Sequence, residues 1–382
     1  MIVVSFFDGM SCGQIALKEL DINIDKYYSS ELDKFAINQT IFNFPDTIQL
    51  GDVLFVRKGY CWKQSIYDKA IQSEYISDKS KQLLINSRKL RNEKIDLFIG
   101  GSPCQGFSFA GKQLNFNDPR SKLFFEFVKM WNEIKKLNTN AKFLLENVNM
   151  KKTYVKIIID HMGLFPCRIN SNLVSAQNRD RLYWTNIRTC EVGLFGEIHS
   201  DIPQPDDKGI LLKDILQPES EVDQKYYIKN PKINFEGMDI KGKSKTLRTG
   251  GKGTQSNKHG KTNCLTSVQK DNLILLGGLK DGKYISGKTK DFSQGARVYS
   301  DKGKSSTINS GGGGQGGKTG LYEIDYKLRR LTPLECSRLQ TVPEWYKFKQ
   351  SENKPTSDSQ IYKILGNGWT IEVIKHIFKY MF

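Results

Sequence analysis

The run Ile95-Asp96-Leu97-Phe98-Ile99 is mostly apolar and stops on Gly100-Gly101, the pattern of a buried strand that ends abruptly. The loop after it, Ser102-Pro103-Cys104-Gln105-Gly106-Phe107-Ser108, therefore starts at a strand's carboxyl end, where open α/β sheets bind ligands. Pro103 stiffens the approach and lacks an N–H donor, and the glycines let backbone come close to a flat ligand. A free cysteine is more often a small buried residue than a nucleophile, so this loop by itself leaves the two roles of Cys104 evenly matched.

The pattern of apolar run, turn and helix recurs along the first half of the chain and predicts a Rossmann-like α/β sheet. Residues 1–7 read as a strand that enters Asp8-Gly9-Met10-Ser11-Cys12-Gly13-Gln14 and a helix over 15–20. Unpaired N–H groups and the helix dipole make such a turn a site for a cofactor's polar end. A second strand over 26–30 ends at Glu31, about where a Rossmann-like unit places an acid on a ribose. After a helix over 33–42, a short third strand ends at Gly51-Asp52-Val53, where Asp52 can accept from an adenine amino group. Taken alone, both acids read as ordinary solvated carboxylates.

Beyond Cys104, residues 121–137 predict a helix with Leu123, Phe124, Phe127, Val128, Trp131 and Ile134 on one side. The strand over 142–148 then carries Glu146 to the same sheet edge as Cys104, and a glutamate ending an apolar strand favours a site. A helix over 154–161 and a strand over 168–174 lead to Gln177-Asn178-Arg179-Asp180-Arg181. If that segment is extended, Arg179 and Arg181 share a face and act together.

Charge and composition narrow the partner. The 382 residues suffice for a catalytic domain and a smaller one, and 58 Lys and Arg against 41 Asp and Glu give a formal charge of +17, which suits a polyanion. The seven cysteines form no Cys-x-x-Cys pair and the four histidines are scattered, so neither a metal site nor a disulfide framework is expected. With no signal peptide and no apolar run of membrane length, a cytoplasmic protein with reduced thiols is expected. Residues 57–94 hold ten Lys and Arg against four Asp and Glu, reading either as a basic flap over nucleic acid or as a solvated helical insertion.

The composition changes from 201 to 325, where 20 of the 33 glycines lie. Gly242-Lys243-Ser244-Lys245-Thr246-Leu247 is echoed by Gly303-Lys304-Ser305-Ser306-Thr307-Ile308, each reading as a strand that runs into a flexible loop. These stretches suit a small β domain that reaches along a phosphate backbone, although 311–317 alone reads as a linker. Regular structure returns at Leu331-Thr332-Pro333-Leu334-Glu335, where Thr332 is an N-cap, Pro333 opens the first turn and Glu335 completes a capping box. Leu365-Gly366-Asn367-Gly368-Trp369 precedes a last helix over 371–380.

Gly-Ser-Pro-Cys-Gln-Gly-Phe-Ser resembles the Pro-Cys motif of DNA cytosine-5 methyltransferases of the bacterial or phage type, and the other motifs follow that family's order from end to end. Gln177-Asn178-Arg179-Asp180-Arg181 matches its Gln-x-Arg-x-Arg, and 329–340 matches its Arg-x-Leu-Thr-x-x-Glu-x-x-Arg-Leu-Gln. Two pieces depart: Phe7-Asp8-Gly9-Met10-Ser11-Cys12 replaces Phe-x-Gly-x-Gly-Gly, and Gly368-Trp369 replaces Ser-Val after Gly366-Asn367. The resemblance implies a fold with an S-adenosylmethionine-dependent methyltransferase sheet over 1–190, a mainly β and loop target-recognition domain over 191–327, and a motif-bearing segment over 328–382 packing back on the first domain. It implies Cys104, Glu146, Arg179 and Arg181 as catalytic residues. It implies S-adenosylmethionine as cofactor, held by Phe7, Gly9, Glu31, Leu32, Asp52, Val53, Pro103, Leu123 and Asn367. The partner implied is double-stranded DNA, with or without a cognate restriction endonuclease acting separately, and catalytic and recognition parts on one chain suggest a monomer. A transfer-RNA methyltransferase and an inactive sequence-specific DNA-binding protein are the alternatives, and a nicotinamide dehydrogenase would leave the Pro-Cys loop and the basic region unexplained.

Overall fold

The computed structural model describes residues 1–103, 122–228, 273, 275–280, 283–286, 292–311, 316–325, 327–351 and 353–381. Cys104 and the first copy of the repeated Gly-Lys-Ser segment, at 242–247, lie outside the described residues.

The strands β1 (Ile2–Phe6), β2 (Lys26–Ser30), β3 (Ile48–Gln49), β4 (Leu97–Gly101), β5 (Lys142–Val148), β6 (Cys167–Asn170) and β7 (Asp180–Thr185) form one sheet in the order β3-β2-β1-β4-β5-β7-β6. The first five strands are parallel, whereas β7 runs antiparallel to both β5 and β6. The order reverses at β1 and β4, so the carboxyl ends of those two strands flank the crevice where a doubly wound sheet takes a ligand.

Both faces of this sheet are covered, and the strand sequences show it. Along β4, Leu97 and Ile99 face one side, packed with α1 (Cys12–Lys18) and α10 (Ile371–Phe378) through Ile15, Ala16, Val373 and Ile377. Phe98 faces the other side, where Phe124, Phe127 and Trp131 of α6 (Lys122–Leu137) meet it. Continuous apolar runs rather than alternating ones follow from burial on both faces. Gly13 has a packing role: a Cβ there would overlap Ile99 Cδ1, so the glycine leaves room for that side chain beneath α1.

The stretch over 57–94, which the sequence leaves open between a basic flap and a helical insertion, is helical: α3 (Val53–Cys61), α4 (Gln64–Gln72), α5 (Asp78–Lys89) and a short 3-10 turn. The predicted helices over 33–42 and 154–161 are α2 (Lys34–Asn43), capped by Asp33, and α7 (Lys152–Met162). The strand expected over 168–174 is shorter, because a 3-10 turn at Ser171–Leu173 follows β6.

A hairpin, β8 (Thr189–Val192) with β9 (Glu197–Ser200), follows the main sheet and bonds to it where Thr185 N–H donates to Ser200 Oγ at 3.0 Å. A second sheet has the order β11-β10-β12-β13-β14, built from β10 (Leu275–Lys280), β11 (Lys283–Ser286), β12 (Arg297–Ser300), β13 (Leu321–Ile324) and β14 (Lys327–Arg329). The copy of the repeated segment at 303–308, expected as a strand running into a flexible loop, forms no strand beyond a bridge at Ser305 and is instead docked. Lys304 is fully buried and its Nζ donates to the carbonyls of Asn172 (2.6 Å), Ser175 (3.1 Å) and Ile210 (2.6 Å). Ser305 N–H donates to Ala176 O at 2.7 Å and Asn178 N–H to Ser305 O at 3.0 Å, so this segment grips the chain just ahead of Arg179.

The carboxyl-terminal segment carries α8 (Pro333–Leu339), a small hairpin of β15 (Lys349–Ser351) and β16 (Lys354–Pro355), α9 (Asp358–Asn367) and α10. The capping box forms as read: Thr332 Oγ1 accepts from Glu335 N–H at 3.2 Å, and Glu335 Oε2 accepts from Thr332 N–H at 2.8 Å. Arg329 adds two donors to the same carboxylate at 2.8 and 2.7 Å, a buried pair that joins β14 to α8.

Candidate active site

The turn after β1 is built around Asp8. Its buried carboxylate accepts from the hydroxyls of Ser11, Tyr27 (2.7 Å) and Ser29 (2.8 Å), and burial holds its pKa above the ordinary aspartate value against those donors. Phe7, Gly9 and Ser11 all take positive φ near 60°. For Phe7 and Ser11 this costs about 1–3 kcal/mol each, and the Asp8 network is what fixes it. A Cβ on Gly9 would meet nothing within 4 Å, so the turn opens outward there.

Glu31 closes the same turn. Its carboxylate accepts from the N–H groups of Gly9 (2.8 Å), Leu32 (2.7 Å) and Asp33 (2.9 Å). Asp52 caps α3, with Oδ1 accepting from Leu54 N–H at 2.8 Å and its carbonyl accepting from Phe55 and Val56. A carboxylate has about four lone-pair sites, so both acids keep capacity for a ligand's hydroxyl or amino groups. These features fit an adenosyl group: an open glycine turn, an acid fixed by backbone at the end of β2, and a second acid after β3. Around them, Val53 is buried, Leu32 is exposed, and Phe7, Leu123 and Pro103 are half-buried.

Sheet register assembles the second half of the site. Gly101 at the end of β4 pairs with Glu146 on β5, and Val148 pairs with Arg181 on β7. Glu146 is buried, and Arg181 Nε lies 2.9 Å from its Oε1. Ser102 and Pro103 leave β4 at that point, and Ser102 is fixed by Asn147 Nδ2, which donates to its Oγ at 3.1 Å.

The two arginines expected to act together point to different partners. Arg181 faces Glu146, whereas buried Arg179 donates from Nη2 to the carbonyls of Gly368 (2.8 Å) and Gly366 (3.3 Å). Burial, then the charge of Arg181, lowers the Arg179 pKa to about 10. Asn367, the last residue of α9, is exposed.

A model of the C-5 cytosine-specific DNA methylase family matches residues 1–382. The chain belongs to that family. Among its relatives, the type II methyltransferase M.HhaI of Haemophilus parahaemolyticus is 27% identical over 295 residues, covering 74% of this chain and 74% of that protein. The orphan methyltransferase M.SPRI of Bacillus phage SPR is 26% identical over 461 aligned positions, covering 99% and 96%. The solved structure of the S. pombe Dnmt2 methyltransferase shares the fold, with a TM-score of 0.58 at 15% identity, covering 100% of this chain and 98% of that one.

Three residues of the methylase's site escaped sequence reasoning. In the sequence Asp8 reads only as part of a glycine turn, and the signal for its role is an acid flanked by Phe7 and Gly9 with Ser11 three residues on. Cys12 is buried, its thiol pushed up to about 12 chiefly by burial, and its Sγ accepts from Trp369 N–H at 3.3 Å. Trp369 was noted only as a departure from Ser-Val, yet its indole Nε1 donates to Glu146 Oε2 at 3.1 Å.

Proposed function

We propose that this methylase transfers a methyl group from S-adenosylmethionine to C5 of a cytosine flipped out of a short, specific duplex sequence, through a transient bond between Cys104 and C6. The observation that carries the reading is the Glu146–Arg181 pair beside Gly101, where the loop leading to Cys104 begins.

Bound across the β1 and β2 turns, S-adenosylmethionine supplies an electrophilic methyl group. Phe7, Gly9, Glu31, Leu32, Asp52, Val53, Pro103, Leu123 and Asn367 are the residues proposed to hold it, with Glu31 on the ribose and Asp52 at the adenine. Cytosine C5 is a poor nucleophile until a thiolate adds at C6 and makes the ring electron-rich. A free thiol with a pKa of about 8.5 is only a few per cent thiolate at neutral pH, so Cys104 needs help from its surroundings. Glu146, sharing a proton with N3, neutralises charge that builds on the ring, and Arg181 orients that carboxylate and the base carbonyl. After alkylation, loss of the C5 proton to a base or water returns the electrons and expels the Cys104 thiolate. The target leaves the stack at a cost of a few kcal/mol, and the glycine-rich segment over 201–325 is proposed to recognise the flanking bases.

The type II and orphan methyltransferases it is similar to suit a role in restriction and modification or in phage DNA protection. A separate endonuclease and a monomeric enzyme belong to that proposal. The test is bisulfite sequencing of plasmid from cells expressing the chain or its Cys104→Ala variant. Methylation of cytosine at one short motif, present only with the thiol, is expected. An unmodified plasmid, or one modified equally by the variant, would overturn the reading.

A further inference from the structure

We propose that Trp369 is a positioning residue for Glu146, setting the carboxylate that activates the target base. The proposal rests on the reading of Glu146 as the group that meets cytosine N3.

Three observations carry it. First, among the described residues the hydrogen bond that Glu146 accepts comes from Trp369 Nε1, at 3.1 Å to Oε2, while Arg181 pairs with Oε1. The carboxylate is gripped at both oxygens, which fixes its plane at the end of β5. Second, the indole is itself locked. Trp369 N–H donates to Cys12 Sγ at 3.3 Å, Arg179 holds the Gly368 carbonyl at 2.8 Å, and Gln340 Nε2 donates to Leu365 O at 2.6 Å. Thr370 Oγ1 donates to Gln340 Oε1 at 2.9 Å, so both sides of the tryptophan are tied to buried groups. Third, the sheet makes room for the contact. A Cβ on Gly101 would lie 2.9 Å from Glu146 Oε2 and 3.0 Å from Trp369 Nε1, so the bare backbone there is what admits both groups.

This arrangement gives Arg179 a role through another residue. It does not touch Glu146 directly but braces the 366–368 backbone that presents the indole. It also ties the last motif of the chain to the reacting edge of the sheet, 223 residues away in sequence. Held at both oxygens, the carboxyl presents one edge to the base, and the proton shared with cytosine N3 arrives with the carboxyl because the neutral base carries none there.

Trp369→Phe keeps an aromatic ring and removes the donor. Single-turnover methyl transfer is expected to fall by about tenfold or more, the range in which one charge-assisted hydrogen bond acts. The KM for S-adenosylmethionine and the Kd for DNA are expected to stay within about twofold of the unmodified enzyme. Replacing Trp369 with benzothienylalanine, which keeps the bicyclic outline and lacks the N–H, is expected to give the same loss, which assigns the effect to the donor rather than to ring volume. Release of tritium from C5 of the target cytosine without methyl donor reads addition at C6, proton exchange at C5 and elimination, with no methyl transfer. The unmodified enzyme should release it and the variant should do so about tenfold more slowly, in proportion to its loss of transfer. Failure of release by the unmodified enzyme would count against the addition chemistry itself. Release by the variant at the unmodified rate, or a loss confined to KM for S-adenosylmethionine, would overturn the positioning role.

Discussion

The chemistry proposed here depends on three side chains that meet only because of sheet register. Glu146 stands beside Gly101, Arg181 arrives from the antiparallel strand β7, and Trp369 comes from the turn before α10. A Glu146→Gln substitution keeps the size and loses the charge, so the amide can no longer share a proton with N3 or pair with Arg181. Turnover is expected to fall by about 10²–10⁴, the range for a general acid or base, with S-adenosylmethionine affinity nearly unchanged because Gly9, Glu31 and Asp52, proposed to hold the adenosyl group, lie in the turns after β1, β2 and β3. Equilibrium dialysis of the cofactor beside initial-rate measurements separates the two, and a collapse of cofactor binding would place Glu146 in the other half of the site. Glu146 was legible in the sequence because an acid ending an apolar strand is expensive unless it is used, whereas Arg181 was legible only through the match to Gln-x-Arg-x-Arg. Trp369 was not, because a tryptophan after a helix end reads as packing, and its indole N–H gains meaning only from a strand 223 residues away.

At the level of elements, the sequence was most readable where one local rule decided the outcome. The capping box at Thr332 and Glu335, the parallel strands and the amphipathic α6 came out as their patterns imply. The stretch over 57–94 was ambiguous because charge does not distinguish a flap from solvated helices. The second copy of the Gly-Lys-Ser repeat reads as a strand that runs into a loop, whereas it is docked without forming a strand, because what holds it is distant: buried Lys304 finds its three carbonyls at Asn172, Ser175 and Ile210. Its far end meets α9 at Gly366, where a Cβ would lie 2.5 Å from Ser310 N and 2.9 Å from Ser310 Cα. Both atoms are backbone and cannot rotate away. Gly366→Ala is therefore expected to destabilise the protein by about 1–3 kcal/mol as 309–310 is pushed off the helix end, read as a lower urea midpoint at unchanged slope. An unchanged midpoint would show that the segment adjusts freely and does not brace α9.

Across the whole molecule, the two halves of the site belong to one body because the chain's end returns to its beginning: α10 packs on α1, and Tyr346 OH donates to Met10 O at 3.0 Å. The division at 190 and 191 falls inside the β8–β9 hairpin and that at 327 and 328 inside β14, so the catalytic and recognition parts, as proposed, share elements at both borders. The formal charge of +17 and the glycine-rich stretch belong to the proposed DNA contact, which no single motif could specify. The central claim is the bond between Cys104 and the target base. A duplex carrying 5-fluorocytosine at the mapped target cannot lose its C5 substituent as a proton, so the adduct formed after methyl transfer should persist. The measurement is peptide mass spectrometry of enzyme trapped on that duplex with S-adenosylmethionine present. The expected result is a nucleotide adduct on the peptide containing Cys104, absent from Cys104→Ala. An adduct on a different residue, or none from an enzyme that methylates the ordinary cytosine, would contradict the account.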